Sequence, residues 1–317
     1  MGLPKKFISC DWGTSNFRLR LVQTDSLAVL SEHSTDMGIK KRYLAFKAQD
    51  DRSQEQFFTD YLVQQLGNLE LGEEKNLVVI ASGMLSSSIG MRELPYSPLP
   101  LAFKGNDLIS KHLKLDNSLD VILVSGAKTN SDVMRGEETL AIGMSGHLPQ
   151  RGKGLLILPG THSKHLFFED ESFHSFITFM TGELFEVIGQ HSVLAASLEA
   201  AKWDASHKNV FLDGLQKGID NKQMASFFSI RANTLLHNIP ASQNYYFLSG
   251  LLIGGELAYL KERDEKVYLA ATGITNSLYQ LALEAVLPVE RIRIFNTEVL
   301  EKALLLGQRK ILATYAI

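Results

Sequence analysis

The sequence predicts an α/β chain in two domains, and three observations carry that prediction. Runs of β-type residues alternate with helix-type runs along the chain, the pattern of strands covered by helices. The order repeats, since Gly13-Thr14 and Gly160-Thr161 lie 147 residues apart, each between two β-type runs near the start of one half. The length of 317 residues, at roughly 100–200 residues per domain, makes room for two cores.

In the first half, residues 7–11 and 17–23 are short β-type runs joined by the tight segment WGTSN, with a third strand expected at 27–33. Residues 53–66 read as a helix, because Ser53 and Gln56 have capping-box spacing and Phe57, Phe58, Tyr61, Leu62 and Leu66 share one face. Residues 77–81 and 121–126 are buried-type strands ending in small residues. The second half opens with strands at 155–160 and 164–170 around a short Gly-Thr turn, followed by 172–180. Helices are expected at 182–191, 207–219, 223–236 and 242–261. A strand at 267–273 then opens into a helix at 274–286, with a late strand at 291–295 and a final helix near 297–308. The composition breaks at GHLPQRGKG (146–154), which divides the chain into domains 1–148 and 149–317.

Composition excludes several classes. Gly and Pro together make about a tenth of the chain, which removes collagen-like and low-complexity architectures. A net charge of −3 without long runs of one sign argues against a nucleic-acid or membrane-surface binder. One cysteine, Cys10, has no internal disulfide partner, and the apolar stretch before Asp11 is too short for a signal-peptide core. The stretch 247–260 carries Glu256 and is shorter than a membrane span. A cytoplasmic enzyme is expected.

Three segments offer chemistry. Asp11, Gly13, Thr14, Ser15 and Asn16 place a carboxylate at a strand end beside a glycine turn whose N–H groups and hydroxyls suit a phosphate, with Asp11 suited to a water-coordinated Mg²⁺. Ordinary hairpin chemistry would also give such a turn, but the second one, Gly160, Thr161, His162, Ser163 and Lys164, adds weight: two such turns could hold the phosphates of a nucleotide. Neither GxxxxGK[ST] nor a GxGxxG after the first strand occurs, so P-loop and dinucleotide-binding domains are not expected. In RGEET, Glu137 or Glu138 could serve as general base for a hydroxyl nucleophile, or both could simply favour a helix start. Arg135 could hold a substrate carboxylate or pair with a nearby acid. The strand-to-helix turn ATGITNS, with Gly273, Asn276 and Ser277, is a usual docking place for a nucleotide; ASGM (Ser82, Gly83, Met84) and TGE (Thr181, Gly182, Glu183) are weaker signals. His162, His165 and His191 lack the companions of a metal site and read as structural. Gly250, Gly254 and Gly255 suggest close helix packing, including a homodimer contact, and KKRY (40–43) reads as a solvated loop that could steer an anion.

Together these segments resemble the superfamily of actin, the heat-shock ATPases and the sugar kinases. DWGTSN resembles its first phosphate motif, PGTHSK its second and ATGITNS its adenosine motif. Within it, DWGTSNFRLRL (11–21), SGMLSSSIGMRELPY (82–96), VMRGEETLAIG (133–143), LPGTHSKHL (158–166), FMTGELFEVIGQHS (179–192) and LSGLLIGGEL (248–257) are similar, in order, to the 2-dehydro-3-deoxygalactonokinase family. Met91 and His165 depart from it, standing where the family often has tryptophan. The resemblance implies two ribonuclease H-like domains with an interdomain cleft, and phosphoryl transfer from MgATP to the terminal hydroxyl of 2-dehydro-3-deoxygalactonate. It implies Asp11 as the Mg²⁺ organiser, Gly13–Asn16 and Gly160–Lys164 as phosphate turns, and Gly250, Gly273, Asn276 and Ser277 at the nucleotide. Glu137 would be the base, with Glu138 second, and Ser82, Gly83, Met84, Arg135, Thr181, Gly182 and Glu183 would contact the sugar acid. Two rivals stand beside this: a kinase of the same fold for another sugar or sugar acid, and a nucleotide-gated module like actin or a chaperone ATPase.

Overall fold

Phe7–Cys10 and Trp12 are buried as a near-continuous run, the pattern of a strand covered on both faces. In the computed structural model, which describes residues 3–72, 77–115 and 119–315, this run is at the centre of the first of two six-stranded sheets.

The first part of the chain forms β1 (Lys6–Trp12), β2 (Phe17–Gln23), β3 (Val29–Thr35), α1 (Ile39–Lys47), α2 (Gln54–Leu66), β4 (Val78–Gly83), β5 (Ser97–Pro98), β6 (Leu101–Ala102), β7 (Ser110–Leu115), β8 (Leu119–Val124), β9 (Ala127–Lys128), β10 (Val133–Met134) and α3 (Glu137–Met144). Its main sheet runs β3-β2-β1-β4-β8-β7. β1 is antiparallel to β2 and parallel to β4, so Asp11 lies opposite Arg18 on one side and Ser82 on the other. Ser53 caps α2 by accepting from the Gln56 N–H at 3.2 Å. Its apolar face packs Phe58 and Leu62 on Trp12, Phe17 and Leu19.

The second part forms β11 (Lys153–Leu158), β12 (Ser163–Glu169), β13 (Ser172–Phe179), α4 (Thr181–His191), α5 (Lys208–Ile219), α6 (Gln223–His237), α7 (Ala241–Leu257), β14 (Lys266–Leu269), α8 (Gly273–Val286), β15 (Ile292–Ile294) and α9 (Thr297–Thr314). The strand order β13-β12-β11-β14-β15 reproduces β3-β2-β1-β4-β8 of the first sheet, with β11, β14 and β15 parallel. The duplication expected from the two Gly-Thr turns is therefore present in strand order, and each sheet has the ribonuclease H-like arrangement.

The chain divides into two compact units, but not as two contiguous halves. The first takes the described residues up to Gly152, together with Glu169–Ser175 and those from Glu301 on; the second takes Lys153–Phe168 and Phe176–Leu300. A single cut at 148/149 misses the return of α9, most of which packs in the first unit. A Cβ at Gly143 would run into the Ala303 carbonyl, and one at Gly307 into the Thr139 carbonyl, so α9 lies backbone-to-backbone on α3. The Lys310 ammonium adds a bond to the Ile142 carbonyl at 3.0 Å.

One further expectation is corrected, and another is met within the chain. KKRY belongs to α1, and its Arg42 is no steering charge: the guanidinium lies 3.7 Å from the Phe57 ring centre and donates to the Phe57 carbonyl at 2.9 Å. Gly250 and Gly254 face α5, where a Cβ at Gly250 would run into the Phe211 carbonyl. They serve packing within the chain, which removes the sequence ground for a dimer contact there.

Candidate functional site

In the first unit the strand ends gather the acidic residues. The turn after β1 closes with Gly13 donating to the Asn16 carbonyl at 2.9 Å, and its Gly13 and Thr14 carbonyls accept from Ile39 and Lys40 at the start of α1. Gly38 makes this fit, because a Cβ there would collide with the Thr14 and Ser15 backbone. Thr14, Ser15 and Asn16 stay exposed at the tip. Beside it, β4 ends at Gly83 with φ of 89°, and Gly136 has φ of 114°, conformations that favour glycine. A Cβ at Gly136 would stand 3.4 Å from the Gly83 Cα. This close approach brings the RGEET segment to the end of β4, next to the strand that carries Asp11.

α3 starts at Glu137, so consecutive side chains diverge by about 100°. Glu138 turns inward, 1% exposed, and accepts from the Gly136 N–H at 2.7 Å and the Thr139 hydroxyl at 3.1 Å. Burial, with the neighbouring Glu137 charge, pushes its carboxyl up to about 7. Glu137 is half-buried and accepts from the Arg135 N–H at 3.0 Å. Asp11 is partly exposed as a residue, yet desolvation of its carboxyl raises its pKa, with Arg18 and Arg20 pulling the other way.

Arg135 and Ser82 are more committed than the sequence suggested. The Arg135 guanidinium donates to the Ser86 carbonyl and hydroxyl, both at 2.6 Å, and to the Leu94 carbonyl at 3.3 Å, and stacks over Tyr96. Its Nε is buried with no hydrogen-bond partner. The Ser82 hydroxyl accepts from Gln308 of α9 at 3.0 Å and is buried, so its side chain is not offered to a substrate. Met84 and Met91 pack in the first-unit core.

The second unit holds a cavity of about 680 Å³, within the size range of small-molecule sites. Gly160 of the second turn, Thr181 and Gly182 at the start of α4, and Thr275 and Ser277 at the start of α8 line it, facing an aromatic wall of Phe185, Trp203, Tyr245 and Tyr246. The wall is held in place: Trp203 meets Tyr246 edge-on at 4.9 Å, and the Tyr246 hydroxyl donates to the Ala201 carbonyl at 2.6 Å. Gly273 has φ of 57°, and the Oδ1 of Asn276 is buried without a hydrogen-bond partner.

Thr181, Gly182 and Glu183, which the resemblance implies as sugar-acid contacts, sit in this second unit against the turn. Glu183 donates its N–H to the Thr161 carbonyl at 3.0 Å, Gly182 packs on the Gly160 backbone, and His162 meets the Glu183 carboxylate at 2.6 Å. Within the turn, Thr161 and His162 are exposed, whereas Ser163 and Lys164 point inward, Ser163 to Glu256 at 2.7 Å and the Lys164 ammonium to the Thr178 hydroxyl at 2.8 Å. Their side chains are therefore not available at the turn. Gly250 does not line the cavity. Among the described residues no group of three or more His, Cys, Asp or Glu could hold a metal; His165 bonds to Glu256 and Tyr259.

Sequence reasoning missed the aromatic wall and Glu256. A Tyr-Tyr pair inside an apolar helix was the available signal for the first, and a lone acid in the most apolar run of the chain for the second.

The family model for 2-keto-3-deoxy-galactonokinase matches residues 11–304. A Rhizobium meliloti (strain 1021) protein named "Probable 2-dehydro-3-deoxygalactonokinase" is 32% identical over 290 residues, 88% of this chain and 89% of that protein. The 2-dehydro-3-deoxygalactonokinase of Escherichia coli (strain K12) is 30% identical over 292 residues, 89% of this chain and 91% of that one. A crystal structure of a Sinorhizobium meliloti protein titled for the same activity superposes with a TM-score of 0.80 at 31% identity, covering 96% of each chain. With the model matched over nearly its whole length and relatives this similar, the chain belongs to the 2-keto-3-deoxy-galactonokinase family.

Proposed function

We propose that this chain transfers the terminal phosphoryl group of ATP to the terminal (6-) hydroxyl of 2-dehydro-3-deoxy-D-galactonate, a step of galactose and galactonate breakdown. The carrying observation is the convergence, in a chain of this family, of the Gly160 turn and the starts of α4 and α8 on one aromatic-walled cavity.

In this reading the second unit takes the nucleotide. The aromatic wall accepts the base, and the exposed N–H groups of the Gly160–Thr161 turn and the first turn of α8 suit its phosphates. The first unit supplies the acceptor side. Glu137, half-buried and directly after Gly136, takes the proton of the attacking hydroxyl, while Glu138 braces the start of α3 through Gly136 and Thr139. Arg135, half-buried and two residues before Glu137, is the cation nearest in sequence for the carboxylate of the sugar acid. Gly83 lets substrate approach the backbone.

Mg²⁺ fits the residues present. It is usually held by one or two carboxylates with waters and phosphate oxygens, so Asp11, at a strand end beside the exposed 13–16 turn, would hold it, and the ion would neutralise phosphate charge. Transfer of this kind is mostly positioning and charge neutralisation. A cytoplasmic location suits a kinase that draws on ATP and a metabolic sugar acid, and no helix among the described residues is long and apolar enough to cross a membrane.

A coupled ADP-release assay over a panel of sugar acids tests the reading. Release should require an acceptor, be fastest with 2-dehydro-3-deoxygalactonate and yield its 6-phosphate. Faster turnover of another sugar acid would move the substrate, and ADP release independent of any acceptor would point to a nucleotide-gated ATPase.

A further inference from the structure

Glu256 stands in α7 within FLSGLLIGGELAYL, the most apolar run of the sequence, and is 2% exposed. An ionised carboxylate in such a place is costly unless donors surround it. Glu256 has four. Ser163 and His165 donate to Oε1 at 2.7 and 2.8 Å, and Tyr279 at 2.7 Å and Thr181 to Oε2. Burial pushes its carboxyl up, but the His165 charge and hydrogen bond, with Thr181 and Ser163, bring it below the usual value.

The four donors come from the segments that shape the cavity. Ser163 and His165 open β12 directly after the Gly160–Thr161 turn, Thr181 starts α4, and Tyr279 lies in α8. Thr181 and Tyr279 line the cavity, and Glu256 does not. An apolar residue would fill the same space at no electrostatic cost, so packing alone does not account for the carboxylate; one acceptor that ties three separate elements together does.

We propose that Glu256 is a positioning residue of the nucleotide site, whose carboxylate fixes the second phosphate turn, the α4 start and the α8 wall in binding geometry and so sets affinity for ATP and ADP without touching them. This rests on the reading that the cavity takes the nucleotide.

Trp203 lines the cavity, and the other tryptophan, Trp12, is fully buried in the first-unit core, so tryptophan fluorescence reports ligand entering the cavity. ADP titrations and steady-state kinetics on wild type, Glu256→Gln and Tyr279→Phe test the proposal. Tyr279→Phe keeps the ring and deletes only one donor, which guards against misfolding of the glutamine variant. Glu256→Gln should raise the ADP Kd and the KM for ATP about tenfold, and Tyr279→Phe roughly threefold, the size of an ordinary hydrogen bond lost. The KM for the sugar acid should stay within about twofold, which a general loss of structure would not give. Unchanged ADP affinity in both variants, or equal rises in both KM values, overturns the proposal while a wild-type response to ADP keeps the cavity reading. No wild-type response overturns both.

Discussion

Two buried carboxylates, one in each unit, have opposite electrostatic fates. Glu138 in the first unit and Glu256 in the second are 1% and 2% exposed, and desolvation alone would push both upward. Glu138 meets the backbone N–H groups of Gly136 and of its own residue, one hydroxyl at 3.1 Å and the Glu137 charge, and is raised to about 7. Glu256 meets three hydroxyls and a histidine and is lowered. Donor number and neighbouring charge, not depth, decide whether a buried acid keeps its proton. The difference also separates roles: Glu138 braces the start of a helix beside Glu137, the acid proposed as base, and Glu256 holds three elements around a cavity.

Asp11 lies between these cases, desolvated but countered by Arg18 and Arg20, and its replacement should give the largest effect. Asp11→Ala should leave the fold intact and lower kcat with MgATP on the order of 10³-fold or more, the several kcal/mol of charge stabilisation a held cation supplies. Wild-type kcat in a folded variant would remove Asp11 from the site.

A smaller effect is expected in stability. Folded Glu138 keeps its proton up to about pH 7, whereas in the unfolded chain it ionises near the ordinary glutamate value. The folded state therefore binds the extra proton between those values, and stability falls as pH rises through that window and levels off above it. The cost reaches about 3 kcal/mol at most. Urea unfolding at pH 5 and 7.5 should show this loss in wild type and a flatter dependence in Glu138→Gln; parallel curves would mean that Glu138 is not held protonated.

Much of this was legible in the sequence, because strands, helix faces and turn glycines are local signals. The two Gly-Thr turns foretold the repeated strand order, and the adjacent acids of RGEET marked a helix start as one of their two readings. What was not legible depended on distant partners. Whether the Ser82 hydroxyl faces a substrate is decided by Gln308, 226 residues away; whether Ser163 is free at its turn is decided by Glu256, 93 residues away. The return of α9 leaves no mark in composition, because it is set by backbone contact at Gly143 and Gly307. KKRY looked like a loop because its charges hide that Arg42 lies on an aromatic ring.

The central claim is a division of labour, with proton removal in the first unit and nucleotide affinity in the second. Measuring kcat and the KM for ATP in Glu137→Gln and Glu256→Gln side by side, with saturating 2-dehydro-3-deoxygalactonate, tests it most directly. Glu137→Gln should lower kcat about 10²–10⁴-fold with little change in the KM for ATP. Glu256→Gln should raise that KM about tenfold and keep most of kcat. The same pattern in both variants, or wild-type kcat in Glu137→Gln, would contradict it.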